Sequence, residues 1–297
     1  MTTFTTHFQP SGILSFDGPD SIKFLQGQTT CNLDELSETK ALYGAFCNPK
    51  GRIKSTFLLL QIDPEKLLML VHQDQCAYLQ NELKMYIAFF KSEVTDVSDH
   101  YQTIGLLYKE QGSTASSYDV SSTNGQIHIT LPGIHRREII LSQSEIILDA
   151  AITEAGQAEW LIQDIQSGLV WTDEASREQF LPHDINLPGF GGVSYEKGCY
   201  TGQEIIARMH YRGNPKYTSA VLITDELADS ISSPLKAELT AGKIKSIGHV
   251  INQYSDGQGK SWILASIHKD LLEQQEIGLS INEEKTILCD INRTYLG

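Results

Sequence analysis

The chain has 297 residues, 40% hydrophobic and 20% charged, which is enough apolar mass for about two domains and too much for wholesale disorder. Its net charge of −14 repels phosphate backbones at long range and disfavours a general nucleic-acid binder. Cysteines at 31, 47, 76, 199 and 289 form no CxxC pair, which points to a reducing cytoplasm and away from a disulfide framework.

Polar residues 1–11 lack a signal pattern, and apolar runs such as 56–60 and 67–71 are too short to span a bilayer, so no membrane association is expected. Residues 12–17 alternate like a strand and end at the Gly18-Pro19 turn. Asp20 is placed to cap a short helix over 22–26 that stops at Gly27. Residues 41–62 read as two strands around the turn Asn48-Pro49-Lys50-Gly51, and 67–72 as a third. Leu79, Leu83, Tyr86, Ile87 and Phe90 share one face of a helix over 75–90. Strands follow at 93–98, 102–108, 126–131 and 137–142, with the Ser/Gly/Thr-rich 111–125 as a loop. A second helix covers about 152–167. The aperiodic stretch 170–192 is long for a compact protein, which points to function. Short strands at 218–224, 236–240, 243–253, 261–267, 277–281 and 285–291 alternate with turns such as Asp256-Gly257-Gln258-Gly259, predicting an all-β barrel or sandwich. The expected organisation is an α+β region over 1–213 and a β domain over 214–297.

The positive charge clusters in 197–217, where Lys197, Arg208, Arg212 and Lys216 face only Glu204. Such an island is either an anion site or a solvated helix face. Thr201 and Glu204 have capping-box spacing, predicting a helix from an N-cap at Thr201 to about Arg212, with Gly213 and Pro215 beyond it. Cys199 lies just before that start, where the helix dipole and Lys197 favour a thiolate, and Gly198 and Gly202 permit close backbone approach. These features describe an activated, partly exposed thiol beside an anion-tolerant loop. The alternative is a small buried cysteine in an ordinary turn.

The run Lys197-Gly198-Cys199-Tyr200-Thr201-Gly202-Gln203-Glu204, followed by Ala207-Arg208 and His210-Tyr211-Arg212-Gly213, resembles the signature of the YgfZ family, folate-binding relatives of the glycine-cleavage T-protein. The resemblance extends to Phe24-Leu25-Gln26-Gly27-Gln28-Thr29, Gly44-Ala45-Phe46-Cys47, Lys50-Gly51-Arg52, Trp160, Gly168, Phe180-Leu181-Pro182 and Gly191-Gly192-Val193-Ser194. It implies a T-protein-like ring of two intertwined α/β parts plus a C-terminal all-β barrel, enclosing a channel for tetrahydrofolate or a derivative. It also implies an accessory role in the assembly or repair of iron–sulphur enzymes such as a tRNA methylthiotransferase, and thereby an indirect role in tRNA modification and processing, in the cytoplasm. No metal or cluster of its own is expected; the isolated cysteines give no cluster-ligand spacing.

The residues carried over are Cys199 as a functional thiol and Trp160, Lys197, Tyr200, Gln203, Glu204, Arg208, Lys50 and Arg52 around the folate. Trp160 offers a flat face to a pterin or aminobenzoyl ring, unless it is simply a core residue. Lys50 and Arg52 suit glutamyl carboxylates through charge-assisted bonds, unless they form a solvated hairpin tip. The chain departs from the family at Asn32, where an acidic residue is common, and near Ser11, where a second folate-side tryptophan is replaced. The T-protein's Gly-Gly-x-x-Asp-Asp is here Gly51-Arg52-Ile53-Lys54-Ser55-Thr56, with no carboxylate at 55–56 to steady an iminium or move a proton. That counts against the alternative function, folate-dependent one-carbon (aminomethyl) transfer. The net charge counts against a third, direct action on tRNA.

Overall fold

The computed structural model describes residues 2–293 apart from 7, 9, 115–117, 150–151, 226–232, 240–242, 257 and 282–284. In chain order come β1 (Thr2–Thr5), β2 (Gly12–Asp17), α1 (Ser21–Gln26), β3 (Leu42–Cys47), β4 (Ile53–Asp63), β5 (Lys66–Val71), α2 (Gln75–Ile87) and β6 (Glu93–Asp96). Then follow β7 (Gln102–Thr114), β8 (Val120–Thr123), β9 (Gln126–Leu131), β10 (Gly133–Ser142), β11 (Thr153–Glu154) and α3 (Gln157–Ser167). Short 3-10 turns at Pro182–Ile185 and Leu187–Phe190 precede α4 (Gln203–Tyr211). The chain continues through β12 (Tyr217–Thr224), β13 (Leu235–Leu239), β14 (Lys243–Ser255), β15 (Ser261–His268), β16 (Glu276–Ile281) and β17 (Lys285–Arg293).

Among the described residues the strands form three sheets. One has the order β11-β1-β7-β10-β9-β8, a second β3-β4-β5-β2-β6, and β12-β15-β14-β13-β16-β17 close into a barrel. The second sheet is apolar on both faces, as a strand buried from both sides requires. Successive side chains of β4 alternate between two cores. Phe57 and Leu59 join Phe24, Leu25, Leu79 and Leu83 under the helices, whereas Leu58 and Leu60 join Trp160, Tyr200 and Ile206 in the main cluster. The predicted α+β region with a closed C-terminal barrel is therefore the observed fold class.

Several local expectations are corrected. The Ser/Thr-rich 111–125 is not all loop: β7 runs to Thr114 and β8 covers Val120–Thr123, an edge strand whose last three residues face solvent. Residues 115–117 of that segment, residue 240 of the predicted strand 236–240 and Gly257 of the predicted turn lie outside the described residues. The helix expected from 152 begins at Gln157, because Thr153–Glu154 pair in parallel with β1, a strand the reading of 1–11 missed. Asp20 makes no cap bond at α1; its carboxylate accepts from the Lys91 N–H at 2.9 Å, and Gly27 is right-handed. At α4 the cap is Gly202, with φ +85° and no side-chain cap bond, so Thr201 and Glu204 do not form the predicted capping box.

Candidate functional site

A cavity of about 210 Å³ lies where α3 meets the β1–β2 connection, the end of β5, the irregular 170–192 stretch and β14 of the barrel. Its walls are Phe8, His72 just after β5, Gln157, Trp160, Leu161 and Asp164 of α3, Trp171 and Asp173 of the irregular stretch, and Ile251 and Asn252 of β14. Trp160 and Asp164, four residues apart, share a helix face. The Trp160 ring packs on Phe8 with centroids 4.8 Å apart and carries the Arg137 guanidinium 5.0 Å from its centroid. Gly105 of β7 makes room for it: a Cβ there would lie 2.4 Å from the indole. Trp160 is thus a member of the main core and a wall of the cavity at once.

Arg137 of β10 donates from Nη1 to Asp164 Oδ1 at 2.6 Å, and both side chains are buried. Arg137 Nε and Nη2 have no partner among the described atoms. Burial pushes the Asp164 carboxyl up to about 6, against the pull of Arg137 and the two tryptophan indoles. A buried carboxylate with a charge that changes near neutrality therefore faces an aromatic-walled cavity. Sequence reasoning missed Asp164, Arg137 and Trp171. The Trp160/Asp164 spacing was a readable signal; a strand arginine buried by its tertiary neighbours was not.

The signature run folds elsewhere, against the 48–52 turn. Gly51 (φ +74°) and Gly202 (φ +85°) pack back to back: a Cβ on Gly202 would lie 2.7 Å from the Asn48 carbonyl and one on Gly51 3.2 Å from Ile205. Lys197 Nζ donates to the carbonyls of Thr29 (2.9 Å) and Cys31 (2.6 Å), and lies 5.1 Å from the Tyr200 ring centroid. Burial lowers its pKa to about 8, opposed by Cys31 and Asp34. Its ammonium thus ties the signature to the segment that follows α1, rather than sitting free beside Cys199. Tyr200 is buried, its hydroxyl reaching the Ser194 carbonyl at 3.4 Å, and burial pushes its pKa up. Cys199 is exposed while Cys31, Cys47, Cys76 and Cys289 are buried. Burial drives Cys31 up to about 11 and Cys76 up to about 12, and raises Cys47 as well.

Lys50 and Arg52 sit at the hairpin turn, with Arg52 Nη1 bonded to the Gln179 carbonyl. Gln203 opens α4, and Glu204 and Arg208 are exposed on it. Of the residues expected around the folate, Trp160 lines the cavity; Lys197, Tyr200, Gln203, Glu204, Arg208, Lys50 and Arg52 do not, nor does Cys199. Among the described residues no group of three or more His, Cys, Asp or Glu is placed to hold a metal ion. No described helix is long and apolar enough to cross a membrane.

No family model matches the chain. It is 30% identical over 221 residues to the tRNA-modifying protein YgfZ of Hamiltonella defensa, covering 68% of this chain and 64% of that protein, so the match spans just under two thirds of that relative. It is 26% identical over 295 residues to the tRNA-modifying protein YgfZ of Vibrio atlanticus, covering 94% of this chain and 88% of that protein. The glycine cleavage system aminomethyltransferase T from Bartonella henselae matches in structure over 100% of this chain and 86% of its own, with TM-score 0.73 and 10% identity. That last likeness is one of fold. The family resemblance read from the motifs is borne out.

Proposed function

The chain belongs with the YgfZ proteins by sequence and has the aminomethyltransferase T fold, and on that premise we propose that it is a tetrahydrofolate-binding accessory protein that supports iron–sulphur enzymes and, through them, tRNA modification. The observation that carries the folate part is the cavity walled by Trp160, Trp171 and Phe8, with Asp164 buried beside it. The donor set fits a reduced pterin. Flat aromatic walls suit its ring, and a carboxylate accepts from the N–H groups of an aminopyrimidinone edge. Tetrahydrofolate, when bound, supplies a carrier of one-carbon units. Asp164 orients the ring, Trp160 and Trp171 exclude water from it, and Arg137 holds the carboxylate in place. The glutamyl tail leaves the cavity toward cations outside its lining, for which Lys50 and Arg52 are the candidates. Lys197 and Tyr200 hold the signature loop, and Cys199 presents its thiol to an iron–sulphur client in the cytoplasm.

Against aminomethyl transfer stand the buried hydroxyls at 55 and 56. Thr56 Oγ1 donates to the Val170 carbonyl at 2.6 Å and accepts from the Thr172 N–H at 3.0 Å, a structural use that leaves no proton carrier there. The test is calorimetric titration with tetrahydrofolate. Saturable binding that Trp160→Ala weakens supports the reading, and no saturation at millimolar folate sinks it.

A further inference from the structure

The outer end of α4 carries rings and cations for which the folate reading has no use. Tyr195 stacks on His210 with centroids 3.8 Å and planes 14° apart, and Tyr211 meets both edge-on at 6.0 and 4.8 Å. Tyr211 is 66% exposed, so one large ring stands in solvent on a pre-stacked pair. Arg212 and Lys216 are exposed just beyond it. Lys269, exposed in the turn after β15, is held alongside them: its backbone N–H donates to the Lys216 carbonyl at 2.8 Å. His183 is in hydrogen-bond contact with the Tyr195 hydroxyl at 3.2 Å, which extends the ring cluster toward the turn where Lys269 sits exposed.

We propose that this patch is a contact surface for a short single-stranded segment of RNA. Bases stack on Tyr211 and its neighbouring rings, and the backbone phosphates lie against Arg212, Lys216 and Lys269. Exposed rings flanked by cations accept any base through its π-face while the charges follow the backbone. An acidic protein segment would match the cations but leave the rings without a role. The acidic remainder of the chain confines the contact to this patch and keeps it weak and salt-sensitive. The choice of RNA over DNA rests on the tRNA link proposed above; the rings and cations stand without it.

The experiment is fluorescence anisotropy of a fluorescein-labelled single-stranded RNA octamer titrated with the intact protein at low salt. Binding should saturate below about 100 µM protein, the weak end of non-specific nucleic-acid affinities. The logarithm of affinity should fall against the logarithm of salt with a slope of about −2, from roughly 0.7 per neutralised phosphate. Tyr211→Ala should weaken binding about 10-fold at unchanged slope, with Tyr211→Phe restoring it. The pair Arg212→Ala and Lys216→Ala should flatten the slope by about 1.4. Absence of saturation overturns the proposal, as does equal affinity for duplex RNA or tighter binding of the same sequence as DNA. A Tyr211→Ala variant that binds like the parent, or displacement by polyglutamate as readily as by unlabelled RNA, also overturns it. Tyr211→Ala should bind tetrahydrofolate like the parent, which keeps a failure here apart from a failure of the folate reading.

Discussion

Asp164 and Cys199 define two separate chemical environments. The Asp164 carboxyl titrates at about 6 in the folded chain, above its ordinary value, so the folded state holds that proton more tightly than the unfolded one. Its contribution to stability is therefore largest in acid and is lost as pH rises through about 6. On the proposed reading folate affinity runs the other way, because the carboxylate is the proposed acceptor: affinity should fall as pH drops below about 6, and Asp164→Asn should abolish that dependence. Calorimetric titrations at several pH values read this directly, and a flat profile for the parent protein refutes the role given to Asp164. Cys199 differs from its four counterparts in exposure. Cys31, held at about 11, carries roughly 100-fold less thiolate than at its ordinary value. Timed iodoacetamide labelling read by mass spectrometry should therefore modify Cys199 first. Labelling of Cys31, Cys47, Cys76 or Cys289 ahead of it contradicts the exposure argument.

Among the elements, the loop before α4 shows what was legible and what was not. The signature identified the family, and the helix after it is present. The cap was misassigned because Thr201 and Glu204 satisfy a local rule, while the conformation is fixed by contact with Asn48 and Gly51, about 150 residues earlier. Lys197 reads locally as a partner for Cys199, yet its acceptors are the carbonyls of Thr29 and Cys31. Buried strands such as β4 were readable because apolar runs have few other uses, whereas the polar strand β1 and the edge strands β8 and β11 look like loop until a neighbour supplies their hydrogen bonds. Gly202→Ala adds a methyl 2.7 Å from a carbonyl at positive φ, so it should destabilise the protein by more than about 1 kcal/mol. Urea unfolding measures that loss. A variant as stable as the parent would show that the two turns are not interlocked.

The cavity draws its walls from parts of the chain more than 200 residues apart, Phe8 at one end and Asn252 on the barrel at the other. A ligand seated there contacts groups that come together only in the native arrangement, so it stabilises the folded state by mass action. At 100 times its dissociation constant, tetrahydrofolate should add about 2.7 kcal/mol to the free energy of unfolding and raise the melting temperature accordingly. The signature loop contributes nothing to the cavity walls, so Cys199→Ser should show the same thermal shift. The two proposed roles then separate in a strain lacking the gene. Cys199→Ser should leave methylthiolated tRNA depleted although folate still binds, whereas Trp160→Ala should lose both the shift and the modification. Thermal scans with and without tetrahydrofolate, paired with nucleoside analysis of bulk tRNA, measure the two outcomes in the same variants. Full methylthiolation with Cys199→Ser would leave the thiol without a chemical role and assign the signature to holding the loop, through Lys197 and Gly202.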